Sequence, residues 1–270
     1  MKPDDLRHLA SDPKFIPGIY NYCDRWCERC PLSHRCLNYA MEQEEDKSDP
    51  AARDLSNQKF WDKLHRTLQG AAQMIQENDQ LEGLDLDDPE TEAEMEREME
   101  RRTARHRAAR EHPLAKAAMD YGLAVQEWME SNAALFKSKG VELRRKARLD
   151  IGRPLEEAEE ITDLIEVIEW YHWLIHVKFS RALSFQAFVE EEVDRALRSV
   201  LNDGDGSAKI ALIGVDRSLA AWTGLRPHFE ESDDAILDFQ VRLARLRSQA
   251  EKIFPQARAF LRPGFDEQAG

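Results

Sequence analysis

Along these 270 residues apolar side chains recur at intervals of three and four, and no stretch of useful length alternates apolar with polar. A strand that buries one face needs that alternation, whereas an amphipathic helix needs the wider spacing. The chain is therefore expected to be all-α, a helical bundle. Glycine (12) and proline (11) are scarce, which argues against a loop-rich sandwich. At roughly 150 residues per domain the length allows one or two domains with a sizeable core. We divide it into a Cys-rich segment at 1–48, an amphipathic helix with a charged connector at 49–112, and a helical core at 113–262.

Helices are expected at about 57–78, 113–138, 154–183, 186–202, 207–223 and 233–253. The first carries Phe60, Trp61, Leu64, Leu68, Ala71, Ala72 and Ile75 on one face. Pro113 and Pro154 open the second and third in the first-turn position, where proline loses no hydrogen bond, and Glu156 and Glu157 favour that same end. From Ile161 to Phe179 the third is apolar around most of its circumference, which makes it the central helix. Asn202-Asp203-Gly204-Asp205-Gly206 reads as a loop before the next apolar run. Its start resembles a calcium loop, but Ala208 and Gly214 stand where that loop needs glycine and glutamate.

Charge is unevenly placed. Twelve acids and one base lie between Glu77 and Glu100, and six bases against Glu111 lie between Arg101 and Lys116. Such a block is expected to be a solvated helix or a loose connector outside the core, or alternatively an arm that binds a protein partner. Asp88-Pro89 supplies a helix start. The net charge of −14 opposes a broad phosphate-tracking surface, so nucleic acid is not a favoured partner. No apolar run approaches the 18 residues of a membrane span. The first residues show neither an apolar signal core nor a cleavage site, and the cytoplasm is the expected location.

All four cysteines fall within fourteen residues, as Cys23-x3-Cys27-x2-Cys30-x5-Cys36. On a helix the first three would sit at about 0°, 40° and 340°, one narrow face. Pro31 would end that helix, and the following turn would bring Cys36 back over it. Two nested disulfides this tight would staple little, and a cytoplasmic chain rarely keeps them. Ordinary buried cysteines would not gather in one segment. Metal ligation by Cys23, Cys27, Cys30 and Cys36 is the remaining reading. Tetrahedral zinc holds its sulfurs about 3.8 Å apart and favours C-x2-C knuckles on turns. A helical face spaces its Cβ atoms about 5–6 Å apart, which suits a four-iron cluster better. Zinc stays as the alternative, in a stapled protein–protein interaction module.

The stretch Cys27-Glu28-Arg29-Cys30-Pro31-Leu32-Ser33-His34-Arg35-Cys36 resembles the iron–sulfur loop of the adenine DNA glycosylase and endonuclease III group. It is also similar to the C-x2-C-x5-C clasp of some nucleases. The resemblance implies one [4Fe-4S] cluster on the four cysteines; a cluster there is expected to serve in electron transfer, redox sensing or structural stapling, with a protein partner. It covers about fourteen residues, and the glycosylase loop has six residues between its first two cysteines where this chain has three. Neither a helix-hairpin-helix nor a nuclease motif accompanies it, so the DNA chemistry does not follow. C-x3-C-x2-C also resembles the motif of radical S-adenosylmethionine enzymes, whose β/α barrel this chain has no strands to build. Tyr20, Trp26 and Tyr39 are placed either to shield such a site or to anchor the segment, and Arg25, Arg29 and Arg35 to offset thiolate charge.

A second candidate lies on the long helix. Glu166, Glu169, His172 and His176 fall within an arc of about 120°. Glu169-Trp170-Tyr171-His172 resembles half of the di-iron site of ferritin-like bundles. A second E-x-x-H is not found; Glu127 and Glu191 lie on neighbouring helices and could contribute, but nothing in the spacing singles them out. The stripe reads either as a half-buried polar seam or as a carboxylate–histidine metal site of an enzyme.

Overall fold

The computed structural model describes residues 9, 11–46, 54–76, 88–192 and 202–266. Among them are eight α-helices and no strand. These are α1 (Leu37–Asp46), α2 (Gln58–Gln76), α3 (Pro89–Glu111), α4 (Pro113–Ser131), α5 (Ala133–Arg148), α6 (Pro154–Glu192), α7 (Asp203–Leu225) and α8 (Asp233–Ile253). None is long and apolar enough to cross a membrane. The chain forms two compact units, residues 1–100 with 262–270 and residues 101–261.

The larger unit is built on α6, which packs most extensively on α7 and also meets α4 and α5. Its inward face carries Ile168, Tyr171, Ile175 and Phe179, all fully buried. Gly214 of α7 lets the two helices approach, since a Cβ there would lie 2.9 Å from the Tyr171 ring. Around this seam Trp222 stacks on Phe239 with ring centres 4.5 Å apart and meets Trp128 edge-on at 5.3 Å. The Trp222 indole N–H donates to the Tyr121 hydroxyl at 3.1 Å, so the one polar atom of the indole is satisfied inside the core.

The expected central helix is central, but one flank faces out, with Val177 56% exposed. The expected break at 184–185 does not occur. Helix α6 runs straight through to Glu192, because Ser184 is held by a hydrogen bond with His106 and Phe185 packs on Gly204. The remainder of the helix expected at 186–202 lies outside the described residues, as do acids 77–87. The helix expected at 113–138 is two helices. Asn132 interrupts it, donating both its backbone N–H and its side-chain amide to the Trp128 carbonyl. Helix α5 then reaches Arg148, with Arg145, Lys146 and Arg148 at the end where cations are favourable.

Asn202–Gly206 is not a loop. Asn202 precedes α7 and Asp203–Gly206 lie in its first turn, where Gly204 and Gly206 are buried, Gly204 against Ala182 and Phe185, and Asp203 pairs with Arg181 at 3.1 Å. The basic half of α3 also departs from expectation. Arg105 is 6% exposed, reaching Glu191 at 3.7 Å with its guanidinium over the Phe188 ring, and Ala109 is buried beside it. One stripe of that helix is thus part of the core.

In the smaller unit, α2 follows the sequence reading almost to the residue. Its face is not covered over its first turns, where Trp61 is 51% and Leu68 60% exposed. Before α1 the chain runs through three short 3-10 turns, Ile19–Tyr22, Cys27–Arg29 and Ser33–Arg35.

Candidate metal centre

The cysteine segment is not an α-helix, and this corrects the geometry expected for it. The Asp24 carboxylate accepts the Trp26 N–H at 3.2 Å, and Arg25 adopts a left-handed conformation with φ 61°. That local turn competes with helix, and Pro31 leaves only four residues from Cys27 in which a costly nucleus could propagate. Cys23 is extended, Cys27 opens a 3-10 turn whose Cys30 N–H returns to the Cys27 carbonyl, and Cys36 ends the next turn. The shared helical face therefore no longer argues for one metal over another.

The four cysteines nevertheless share one cavity wall. Cys23, Cys27, Cys30 and Cys36 line one cavity of about 300 Å³, counting its open mouth, together with Ile19, Trp26 and Phe265. All four are free thiols and half-buried. The Cys23 thiol donates to the Tyr20 carbonyl at 3.6 Å. Backbone ties fix the loop, since Ile16 N–H donates to the Arg35 carbonyl at 3.0 Å and the Arg35 side chain donates to the Lys14 carbonyl. Tyr20, Trp26 and Tyr39, set apart from the sequence, all stand in the cavity wall. The Arg29 guanidinium lies over the Trp26 ring, 4.1 Å from its centre.

Burial pushes the Cys27 thiol up to about 11, reinforced by the Glu42 carboxylate and then by the other three cysteines. A Cys27 thiol held up in this way keeps its proton near neutral pH unless a cation stands beside it. Metal ligation requires the thiolate and supplies the cation. Among the described residues no three His, Cys, Asp or Glu side chains converge as ligands of one ion. A set of four cysteines suits either a zinc ion, which takes four thiolates, or a four-iron group, which takes one thiolate at each corner.

The stripe on α6 does not assemble. Glu166 and Glu169 are exposed, His176 is buried, and the four do not converge. His172 shares a hydrogen bond with the carbonyl of Glu169 at 2.6 Å, and His176 with the Ala115 carbonyl at 3.0 Å. Each ring is thus held by a main-chain acceptor, and burial lowers the His172 pKa. Of the other expected neighbours, Glu127 is exposed and Glu191 faces Arg105. Asp216 and Arg217, adjacent in sequence, part company. Asp216 takes Arg258 at 2.5 Å, while Arg217 donates to the Tyr171 hydroxyl. His228 lies in a 3-10 turn 3.5 Å from Glu157.

The residues that sequence reasoning missed are Ile19 and Phe265. Pro263-Gly264 announces a turn at the far end of the chain, but nothing in that signal says where the turn docks. No family model matches the chain, and neither a curated protein nor a solved structure matches it.

Proposed function

We propose that the N-terminal unit is an iron–sulfur module holding one [4Fe-4S] cluster on Cys23, Cys27, Cys30 and Cys36. The observation that carries this reading is the gathering of every cysteine of the chain around one cavity, as free thiols. When bound, the cluster supplies a one-electron site or a covalent staple of the segment. The chain's own residues do the rest. The 3-10 turns space the thiols, Trp26 and Tyr39 exclude water, and Arg25, Arg29 and Arg35 offset thiolate charge. A reducing compartment, the cytoplasm, keeps such thiols available. An electron-transfer or sensing role calls in addition for a protein partner.

Zinc is the second reading, favoured by one observation. The Cys27–Cys30 pair sits on a tight turn, as zinc knuckles do. The module would then order the N-terminus for a protein–protein interaction.

The test is to purify the protein without oxygen, record its visible spectrum and assay iron, acid-labile sulfide and zinc on one sample. A brown protein with broad absorption near ~400 nm and equal iron and sulfide, abolished by replacing the four cysteines with serine, is the expected result. One zinc per chain and no colour would establish the second reading. A metal-free protein after reconstitution with iron, sulfide and zinc would overturn both.

A further inference from the structure

Residues 11–46 and 262–266 belong to one compact unit, and residues 262–266 bring an aromatic ring to the cysteine cavity. Three local devices fix that ring. The Arg262 N–H donates to the Asp266 carboxylate at 3.0 Å and its guanidinium does so at 2.9 and 3.0 Å, which closes a five-residue turn. This pair is only 17% and 19% exposed, so water screens it little. The same guanidinium lies 4.8 Å from the centre of the Phe265 ring. Gly264, with φ 74°, lets the turn settle on the N-terminal segment, because a Cβ there would stand 2.7 Å from the Ile16 side chain and 3.3 Å from Ile19. Ile19 is itself 2% exposed and lines the cavity beside Cys23.

We propose that the C-terminal turn is part of the metal centre: Phe265 is a wall of the cysteine cavity and sets how far water, oxidants and chelators reach the bound group. The proposal rests on the reading of that cavity as a metal–thiolate site. Exposure to solvent is one of the main controls on an iron–sulfur potential and on the lifetime of the group. Phe265 is only half-buried, so replacing it removes part of the cavity wall at small cost to the fold. The remaining wall comes from the cysteine segment itself and from Tyr39. Phe265 is thus a positioning residue supplied from the opposite end of the sequence.

The test compares the wild type with Phe265→Ala and Phe265→Leu in the full-length protein, with far-ultraviolet circular dichroism as a check on folding. In metal-free protein, alkylation of the four cysteines by iodoacetamide is followed by mass. In protein reconstituted with iron and sulfide, capture of iron by an external Fe(II) chelator is timed without oxygen, and the midpoint potential is measured. The expected result is that Phe265→Ala speeds both alkylation and iron capture about tenfold and shifts the potential, while Phe265→Leu stays near wild type. Equal rates in all three proteins would overturn the proposal. So would fast rates in Phe265→Leu as well, since that pattern would assign the effect to a loosened fold. A protein that takes up no metal would remove the cluster reading, yet the alkylation rates would still report whether Phe265 walls the cavity.

Discussion

Tyr121 is fully buried, and its hydroxyl accepts the Trp222 indole N–H. Burial holds its ionisation far above the ordinary value of 10.0, at about 12. Between those values the unfolded chain gives up the phenolic proton and the folded chain keeps it, so rising pH favours unfolding. Stability from this residue is complete below the unfolded value and is lost as pH climbs toward the folded one, by about 1.4 kcal/mol per pH unit. Tyr121→Phe is expected to remove that extra slope in alkaline denaturant titrations. At neutral pH it should cost about 1–3 kcal/mol, because the indole N–H is left buried without an acceptor. At this scale the sequence was legible only as far as placing Tyr121 within a helix expected at 113–138. It was silent on the partner, since Trp222 comes to it only through the packing of α4 with α7 and α8. His176 shows the same limit. Its spacing with Glu166, Glu169 and His172 invites a metal site, but a carbonyl of α4 holds its ring.

Among the elements, α6 separates local from tertiary causes. Sequence reading ends a helix at 183 and starts another at 186, whereas the chain is continuous from Pro154 to Glu192. Proline tests the difference directly. If a helix began at residue 186, Gln186→Pro would be tolerated in its first turn, as Pro113 and Pro154 are. In a continuous helix it deletes a hydrogen bond and clashes with the preceding turn, and a loss of about 3 kcal/mol in denaturant unfolding is expected. The start of α7 teaches the converse. Two glycines and two aspartates read locally as a loop, yet Gly204 serves close approach to α6 and Asp203 answers Arg181. The cysteine segment errs the other way, since a helical face was expected where Asp24, Arg25 and Pro31 enforce turns.

For the whole molecule, the core of residues 101–261 contains none of the cysteines, and its aromatic cluster is complete without them. The variant with all four cysteines replaced by serine is therefore expected to keep a cooperative unfolding transition and most of its helical signal. On the proposed cluster reading, what it should lose is metal content and the protection of the N-terminal segment from proteolysis, read by limited digestion. The sequence by itself determined the helical class, the starts at Pro89, Pro113 and Pro154, the C-terminal helix 233–253 and the singular status of the four cysteines. Each of these follows from local chemistry: periodicity, proline's missing N–H, and the crowding of one residue type in one segment. Only the tertiary structure decided that α6 runs unbroken, that Arg105 is buried, and that a ring from the far end of the chain joins the cysteine cavity. Those outcomes depend on contacts between residues distant in the chain, where the spacing of side chains along one helix carries no information about what will pack against it.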